Sequence, residues 1–370
     1  MGVLFMIINL KKIGIMLLTL CLLSACSSEP EVIISRKTNI DLEAQVDKYL
    51  TEKKFNGSVL MAKKGDIWIS KGYGKANFEK DIPNTPNTIY RIASLSKQFT
   101  ALSILKLQEQ GLVNVNDTLD KYIPDYPQGD IITLHHLLSH TSGIPEYLQI
   151  DNVFSVFQKY NSPLDIIDTF KQKPLDFTPG TQFSYSNSNY ILLGYIIEIV
   201  TKESYADYIN NNIFKPLHMK NSGYDKNEYN ENTHAKGYEG TIQRYSDPSY
   251  QIDMSVPFSA GALYSTVEDL FLWDQALYTD KLVSKESLDI MFSPKVIMEE
   301  NKLSYAYGWF VYHDPINLVG HGGNIIGYSS FILRDPETKN FIVVMSNFDS
   351  YRAINWVAED LNKMLDDFIR

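Results

Sequence analysis

Three short stretches of this chain carry side chains suited to attacking a carbonyl. The first is Arg91-Ile92-Ala93-Ser94-Leu95-Ser96-Lys97. If Ser94 opens a helix, Ser94 and Lys97 lie three residues apart on one face. A lysine beside a hydroxyl accepts its proton once burial and neighbours lower the lysine pKa. The helix N-terminus also offers a backbone N–H to a developing oxyanion. The second stretch is Tyr185-Ser186-Asn187. In an extended segment residues i and i+2 project to one side, so a phenol that relays a proton sits beside an amide that grips a substrate amide. The third is Gly320-His321-Gly322-Gly323-Asn324, between strand-like residues Asn317–Val319 and Ile325–Phe331. Glycines inside a strand signal close approach of another backbone. A substrate strand on that edge would meet the Asn324 N–H as a second oxyanion donor. Each stretch alone has a plainer reading: Ser94 as a helix N-cap, Tyr185 as one of 24 tyrosines packing a surface loop, and the glycine run as a hairpin turn with a surface histidine.

These residues need elements to hold them. Asp41 to Leu50 reads as a short amphipathic helix, and Gly57–Ala62 and Asp66–Tyr73 as strands joined by a turn at Lys63-Lys64-Gly65. Apolar spacing predicts a helix from Ser94 to Gln110, closed by Gly111. The middle is mainly helical. Ser162-Pro163 followed by Asp165 is a start signal, Asn189–Val200 is apolar and helical, and Ser265 to Glu268 reads as a capping box opening a helix to Leu277. Tyr305–Tyr312, Asn317–Gly320, Tyr328–Arg334 and Phe341–Ser346 have strand composition, and a last helix runs from about Ile354 to Phe368. Strands at both ends with helices between them predict an α+β body carrying an inserted, mainly helical lobe at about residues 112–255.

Composition narrows the function. With 44% hydrophobic and 21% charged residues the chain reads as an ordinary globular protein. A formal charge of −10 and no Lys/Arg-rich stretch argue against nucleic acid as a partner. The two cysteines, Cys21 and Cys26, are both N-terminal, so the body has no cysteine nucleophile, disulfide or thiolate metal site. No His/Asp/Glu cluster has convincing metal-ligand spacing. His140 reads as a loop-structuring residue, and His135 and His136 as helix residues in packing or solvent. Trp309 and Tyr328 flank the third stretch and read as core or strand-face residues.

The N-terminus reads as an address. Lys11 and Lys12 precede an apolar run from Ile13 to Leu23, followed by Ser24-Ala25-Cys26 and a polar stretch. This is secretory-signal logic, and the cysteine after small residues resembles a bacterial lipobox. It implies cleavage after residue 25, diacylglycerol on Cys26, and a short tether over residues 26–40. The body, 41–370, then lies at the extracytoplasmic face of a membrane. An uncleaved anchor is the other reading, although the run is short for a span of about 20 residues. Cleavage removes Lys11 and Lys12 and no acid, so −10 becomes −12.

Taken together and in this order, Ser-x-x-Lys, Tyr-x-Asn and a His-Gly-Gly strand resemble the penicillin-recognising serine hydrolases. Within them the second motif is similar to that of class C β-lactamases and their DD-peptidase, D-aminopeptidase and esterase relatives. Leu137-Leu138-Ser139-His140-Thr141-Ser142-Gly143, Pro179-Gly180 with Phe183 and Tyr190–Gly194, Ser259-Ala260-Gly261, Tyr264-Ser265-Thr266 and Tyr307-Gly308-Trp309 extend the resemblance over roughly residues 41–350.

The resemblance implies a β-lactamase/transpeptidase-like fold, with an antiparallel sheet flanked by helices. It also implies an acyl-enzyme mechanism: Ser94 as nucleophile, Lys97 and Tyr185 sharing general-base work, Asn187 binding the substrate amide, and the N–H groups of Ser94 and Asn324 holding the oxyanion. Substrate would lie along His321, Gly322 and Gly323, and the implied mechanism needs neither metal nor organic cofactor. Two departures matter. The family's Lys-Thr-Gly lysine is His321 here, whose charge depends on pH, and its hydroxyl residue is Gly322. That pair is associated with substrate carboxylates, so the pattern points away from efficient β-lactamase or DD-carboxypeptidase activity. It points toward amide or ester hydrolysis of cell-envelope peptides or D-amino-acid derivatives. The alternatives are a penicillin-binding or sensor lipoprotein acylated without efficient turnover, a weak β-lactamase, or a structural envelope protein.

Overall fold

Two strands of opposite ends of the chain meet at the centre of one sheet. The computed structural model describes residues 34–150, 158–248, 251–298, 302–313, 316–349 and 354–369. Its main sheet has nine strands: β1 (Ser35–Arg36), β2 (Gly57–Lys63), β3 (Asp66–Tyr73), β4 (Val296–Met298), β5 (Leu303–Tyr305), β6 (Phe310–His313), β7 (Ile316–Ile325), β8 (Tyr328–Asp335) and β9 (Asn340–Ser346). Their order is β1-β3-β2-β9-β8-β7-β6-β5-β4. All pairings are antiparallel except β1 on β3, which is parallel and makes the sheet mixed at that edge. The expected α+β class holds. Ser35–Arg36 lies in the stretch read as a tether, so ordered structure begins ahead of Asp41.

Both faces of the sheet are covered, which explains its nearly unbroken apolar runs. Val59 and Met61 of β2 and Ile342 and Val344 of β9 face one side; Leu60, Ala62, Phe341, Val343 and Met345 face the other. The period of two does this sorting. The first face packs on helices α1 (Ile40–Glu52) and α6 (Ile354–Phe368). Asn39 starts α1 by accepting from the Asp41 and Leu42 N–H groups, and Leu42, Val46 and Leu50 form its buried stripe. The second face shares one hydrophobic core with α2 (Ser96–Glu109), α5 (Val267–Ala276) and the helical lobe, which includes α3 (Pro163–Phe170) and α4 (Asn187–Thr201).

Helix α2 is buried almost all round, so its polar residues need partners. Ser96 Oγ accepts from Leu263 N at 3.1 Å, Gln98 Oε1 accepts from Trp273 Nε1 at 3.0 Å, and the Thr100 hydroxyl donates to Ser259 O at 2.8 Å. The helix ends where expected, with Gly111 at φ +71°. Ser162 caps α3 with Pro163 in the first turn as expected, and Asp165 closes a capping box with it.

One expectation is corrected, and one open alternative is decided in favour of the strand. Thr266, not Ser265, caps α5, accepting from Asp269 N at 3.1 Å. Ser265 ends a short strand and its hydroxyl meets that of Ser222 at 2.8 Å, while Glu268 binds Arg36 and Ser70. The glycine run is no hairpin turn. It lies inside the ten-residue strand β7, which pairs with β8 through Ile325. Pairing with β6 stops at Gly320, so among the described residues His321–Ile325 presents a strand edge not taken by β6. The signal segment and Cys26 lie outside the described residues, among which no helix is long and apolar enough to cross a membrane.

Candidate active site

Ser94 does not open the α-helix as expected. It sits in a 3-10 turn, Ala93–Leu95, that runs straight into α2. In that winding residues i and i+3 stack one above the other, which brings Lys97 under Ser94. Ala93 adopts φ +48°, a left-handed conformation that costs an alanine about 1–2 kcal/mol. The turn is clamped on both sides: Ile92 N donates to Leu263 O at 3.0 Å, and the Ser330 hydroxyl donates to Ile92 O at 3.0 Å.

The fully buried Lys97 Nζ lies 3.0 Å from Ser94 Oγ, 2.7 Å from Asn187 Oδ1 and 2.9 Å from Ala260 O. Two of these partners, an amide oxygen and a peptide carbonyl, only accept. A neutral amine has two N–H donors and one lone pair. The two acceptors take the donors, and the lone pair is left facing the Ser94 hydroxyl. Burial pushes the Lys97 pKa down to about 7, opposed by the negative charge of Glu146, so the neutral form is accessible near neutral pH. The Tyr185 phenol also reaches Ser94, and burial pushes its pKa up beyond the ordinary phenol range. Tyr185 is therefore protonated at neutral pH, and of the two groups expected to share general-base work Lys97 is the one whose neutral form can accept a proton there.

Tyr185 is held from behind by His140. The rings lie 4.3 Å apart, and His140 Nδ1 accepts from Ser186 N at 3.2 Å. That bond assigns the ring proton to Nε2, and burial keeps the imidazole neutral by lowering its pKa well below the usual value. The structuring role read for His140 fits this geometry. His135, in the short helix Leu134–Leu138, bonds the Tyr307 hydroxyl at 2.7 Å, and Trp309 is core.

Asn187 is the first residue of α4, and its amide is engaged at both ends, Oδ1 by Lys97 and Nδ2 by Glu146. On the opposite wall, His321 differs from expectation. It is buried, and its pKa is pushed down to about 3 by burial and by the charge of Lys97. Nδ1 donates to Gly322 O at 2.7 Å, and Nε2 lies 3.3 Å from the Tyr305 hydroxyl. At physiological pH this position carries no positive charge. The Asn324 side chain turns out to Asp349 O at 2.8 Å, leaving its backbone on the strand edge.

The family model described as Beta-lactamase matches residues 41–360. The chain belongs to the beta-lactamase family. It is a serine-hydrolase family that includes penicillin-binding proteins. Protein flp of Staphylococcus aureus (strain NCTC 8325 / PS 47) is 37% identical over 344 residues, covering 89% of this chain and 68% of that protein. A penicillin binding protein from Bacillus halodurans superposes with a TM-score of 0.77 at 28% identity, over 87% of this chain and 98% of that one. The D-amino acid amidase from Ochrobactrum anthropi SV3 shares the fold, with a TM-score of 0.78 at 23% identity over 88% and 99%.

As a beta-lactamase-family site, this one shows why the glycines are needed. A Cβ on Gly323 would stand 2.2 Å from Ile92 O, in the segment that carries Ser94. Gly323→Ala is therefore expected to push β7 away from the nucleophile and lower kcat/KM at least about tenfold, since small misplacements are costly in a positioned site. Kinetics beside a thermal melt check this, and an alanine variant with wild-type kcat/KM refutes it. Three contributors escaped the sequence reading: Glu146, the Ala260 carbonyl and Tyr305. Glu146 did leave a trace, as the only acid between Asp130 and Asp151. Ala260 lies in the Ser259-Ala260-Gly261 stretch, but nothing in it marks the carbonyl as a lysine partner, because every residue has one.

Proposed function

We propose that this protein is an acyl-enzyme-forming serine hydrolase acting on amide or ester bonds of cell-envelope peptides or D-amino-acid derivatives whose reacting end carries no carboxylate. The observation that carries the reading is the 3.0 Å approach of Lys97 Nζ to Ser94 Oγ, with the other two lysine partners acceptor-only. Ser94 Oγ bonds to the carbonyl carbon as its proton passes to Lys97. The C–N or C–O bond of the tetrahedral adduct then breaks, Tyr185 protonates the leaving group, and Lys97 returns a proton to Tyr185. Water repeats the sequence in reverse and frees Ser94. The N–H groups of Ser94 and Asn324 hold the oxyanion. The β7 edge from His321 through Gly323 receives the substrate backbone.

The preference against carboxylates rests on His321 and Gly322. A neutral imidazole and a missing hydroxyl leave neither a charge nor a hydroxyl at these two positions to pair with an anion. The lysines, apolar run and Cys26 of the N-terminal segment support a lipid-tethered position at the extracytoplasmic face.

Whole-protein mass spectrometry of residues 27–370 tests the reading. An active-site serine phosphonate is expected to add once, at Ser94, and benzylpenicillin to add slowly or not at all. A stable penicillin adduct would favour a penicillin-binding protein that does not turn over. No phosphonate adduct on folded protein would remove the catalytic reading.

A further inference from the structure

Glu146 sits where three elements meet, and its carboxylate accepts three N–H bonds. Oε1 takes Leu148 N at 3.0 Å; Oε2 takes Asn187 N at 2.6 Å and Asn187 Nδ2 at 2.9 Å. The bond from Asn187 N is a helix cap supplied from 41 residues away. Ser186, the local N-cap residue of α4, makes no side-chain cap bond. An anion at a helix N-terminus is favoured by the orphan N–H groups and the helix dipole. The bond from Nδ2 has a further consequence. A carboxylate only accepts, so the Asn187 amide must turn its NH2 toward Glu146. Its carbonyl then faces the other way, onto Lys97 Nζ.

We propose that Glu146 is the positioning residue of this site: it orients the Asn187 amide so that the carbonyl faces Lys97, and through that amide its negative charge acts on the lysine. The proposal rests on the hydrolase reading for its role in turnover but not for its test. Burial drives Lys97 toward the neutral form, and Glu146 opposes it. Among the described residues, the other groups facing Lys97 carry no compensating anion. Tyr185 and Tyr190 are protonated phenols whose rings lie 4.9 and 5.6 Å from Nζ, and His140 and His321 are neutral imidazoles. On its own outer side Glu146 faces Tyr147, and it borders a cavity of about 290 Å³ that it shares with Lys173 and Asp176. Burial raises the pKa of Glu146 itself, against its N–H donors and Lys97.

Glu146→Gln keeps an acceptor for Asn187 and removes the charge. The Lys97 midpoint is then expected to fall by about one pH unit, and the acid limb of the Ser94 phosphonylation rate to move down with it. Glu146→Ala frees the amide to flip and is expected to lower the high-pH plateau about tenfold, whereas the glutamine variant retains it. Lysine-labelled protein titrated by carbon NMR, with the Lys97 signal assigned by its loss in Lys97→Met, reads the midpoint directly. An unchanged or raised midpoint in Glu146→Gln overturns the proposal. If that variant does not fold, wild type decides. The Glu146 carboxyl signal must respond across the Lys97 titration, and a silent carboxyl overturns the proposal equally. Should Ser94 take no phosphonate in any form, the hydrolase reading falls while the Lys97 midpoint still decides this one.

Discussion

Ser94→Ala is expected to lower turnover of a p-nitrophenyl ester by about 10⁴-fold or more, and adding Lys97→Met to it is expected to cost almost nothing further. Groups that act as one unit are non-additive, because removing either disables the same step. Lys97→Met alone should cost about 10²–10⁴-fold, the usual contribution of a general base. The structure makes them a unit: Nζ lies 3.0 Å from Oγ, and both other directions around Nζ are taken by acceptors. The pH profile follows with a definite sign. Lys97 works as the free amine, so the wild-type rate rises as pH climbs through about 7 and levels above it. Tyr185 works as the protonated phenol, and its raised pKa keeps it so across that plateau. Two single variants whose losses multiply in the double variant would contradict the unit, as would a rate that falls with rising pH through neutrality.

Asp274→Ala is expected to destabilise the fold by about 3–5 kcal/mol, whereas Asp274→Leu combined with Arg334→Met should recover most of that loss. Arg334 Nε donates to Asp274 Oδ1 at 2.8 Å, and both side chains are buried. The guanidinium is packed against Tyr278 and Phe292, each 4.8 Å away, and Trp309 at 5.8 Å. Burial is the largest influence on Asp274 and raises its pKa even beside the guanidinium. Desolvation therefore offsets much of the pair's attraction. Removing one partner strands a charge in an aromatic box, while replacing both removes the desolvation as well. Denaturant unfolding of the single and double variants measures the coupling. A double variant as unstable as the worse single one would refute this account.

The strand and helix pattern was largely legible because burial sorts residues with short periods. The alternation of Val59 and Leu60, and the stripe Leu42, Val46, Leu50, are visible in one dimension and reappear on opposite sides of the sheet and along α1. Where the reading slipped, neighbours decided. Ser265 and Thr266 are both good caps, and only the bond of Ser265 to Ser222 shows which is free to serve. The glycine run read equally well as turn or strand, because what selects the strand is pairing with β8, contributed by residues up to Arg334.

By itself the sequence singled out Ser94 and Lys97 as the candidate nucleophile and base, since their three-residue spacing becomes contact in any tight helical winding. It also determined the family, through motifs that each occupy a few consecutive residues. The tertiary structure alone decided the protonation states and orientations. Lys97 is tuned by burial and by contacts from Ala260, 163 residues away, and Asn187, 90 residues away. His321 is neutral because of what encloses it, and Asn187 faces the lysine because Glu146 holds its other end. Spacing along a chain is local, whereas solvation and hydrogen-bond geometry depend on every group that folding brings within a few ångströms.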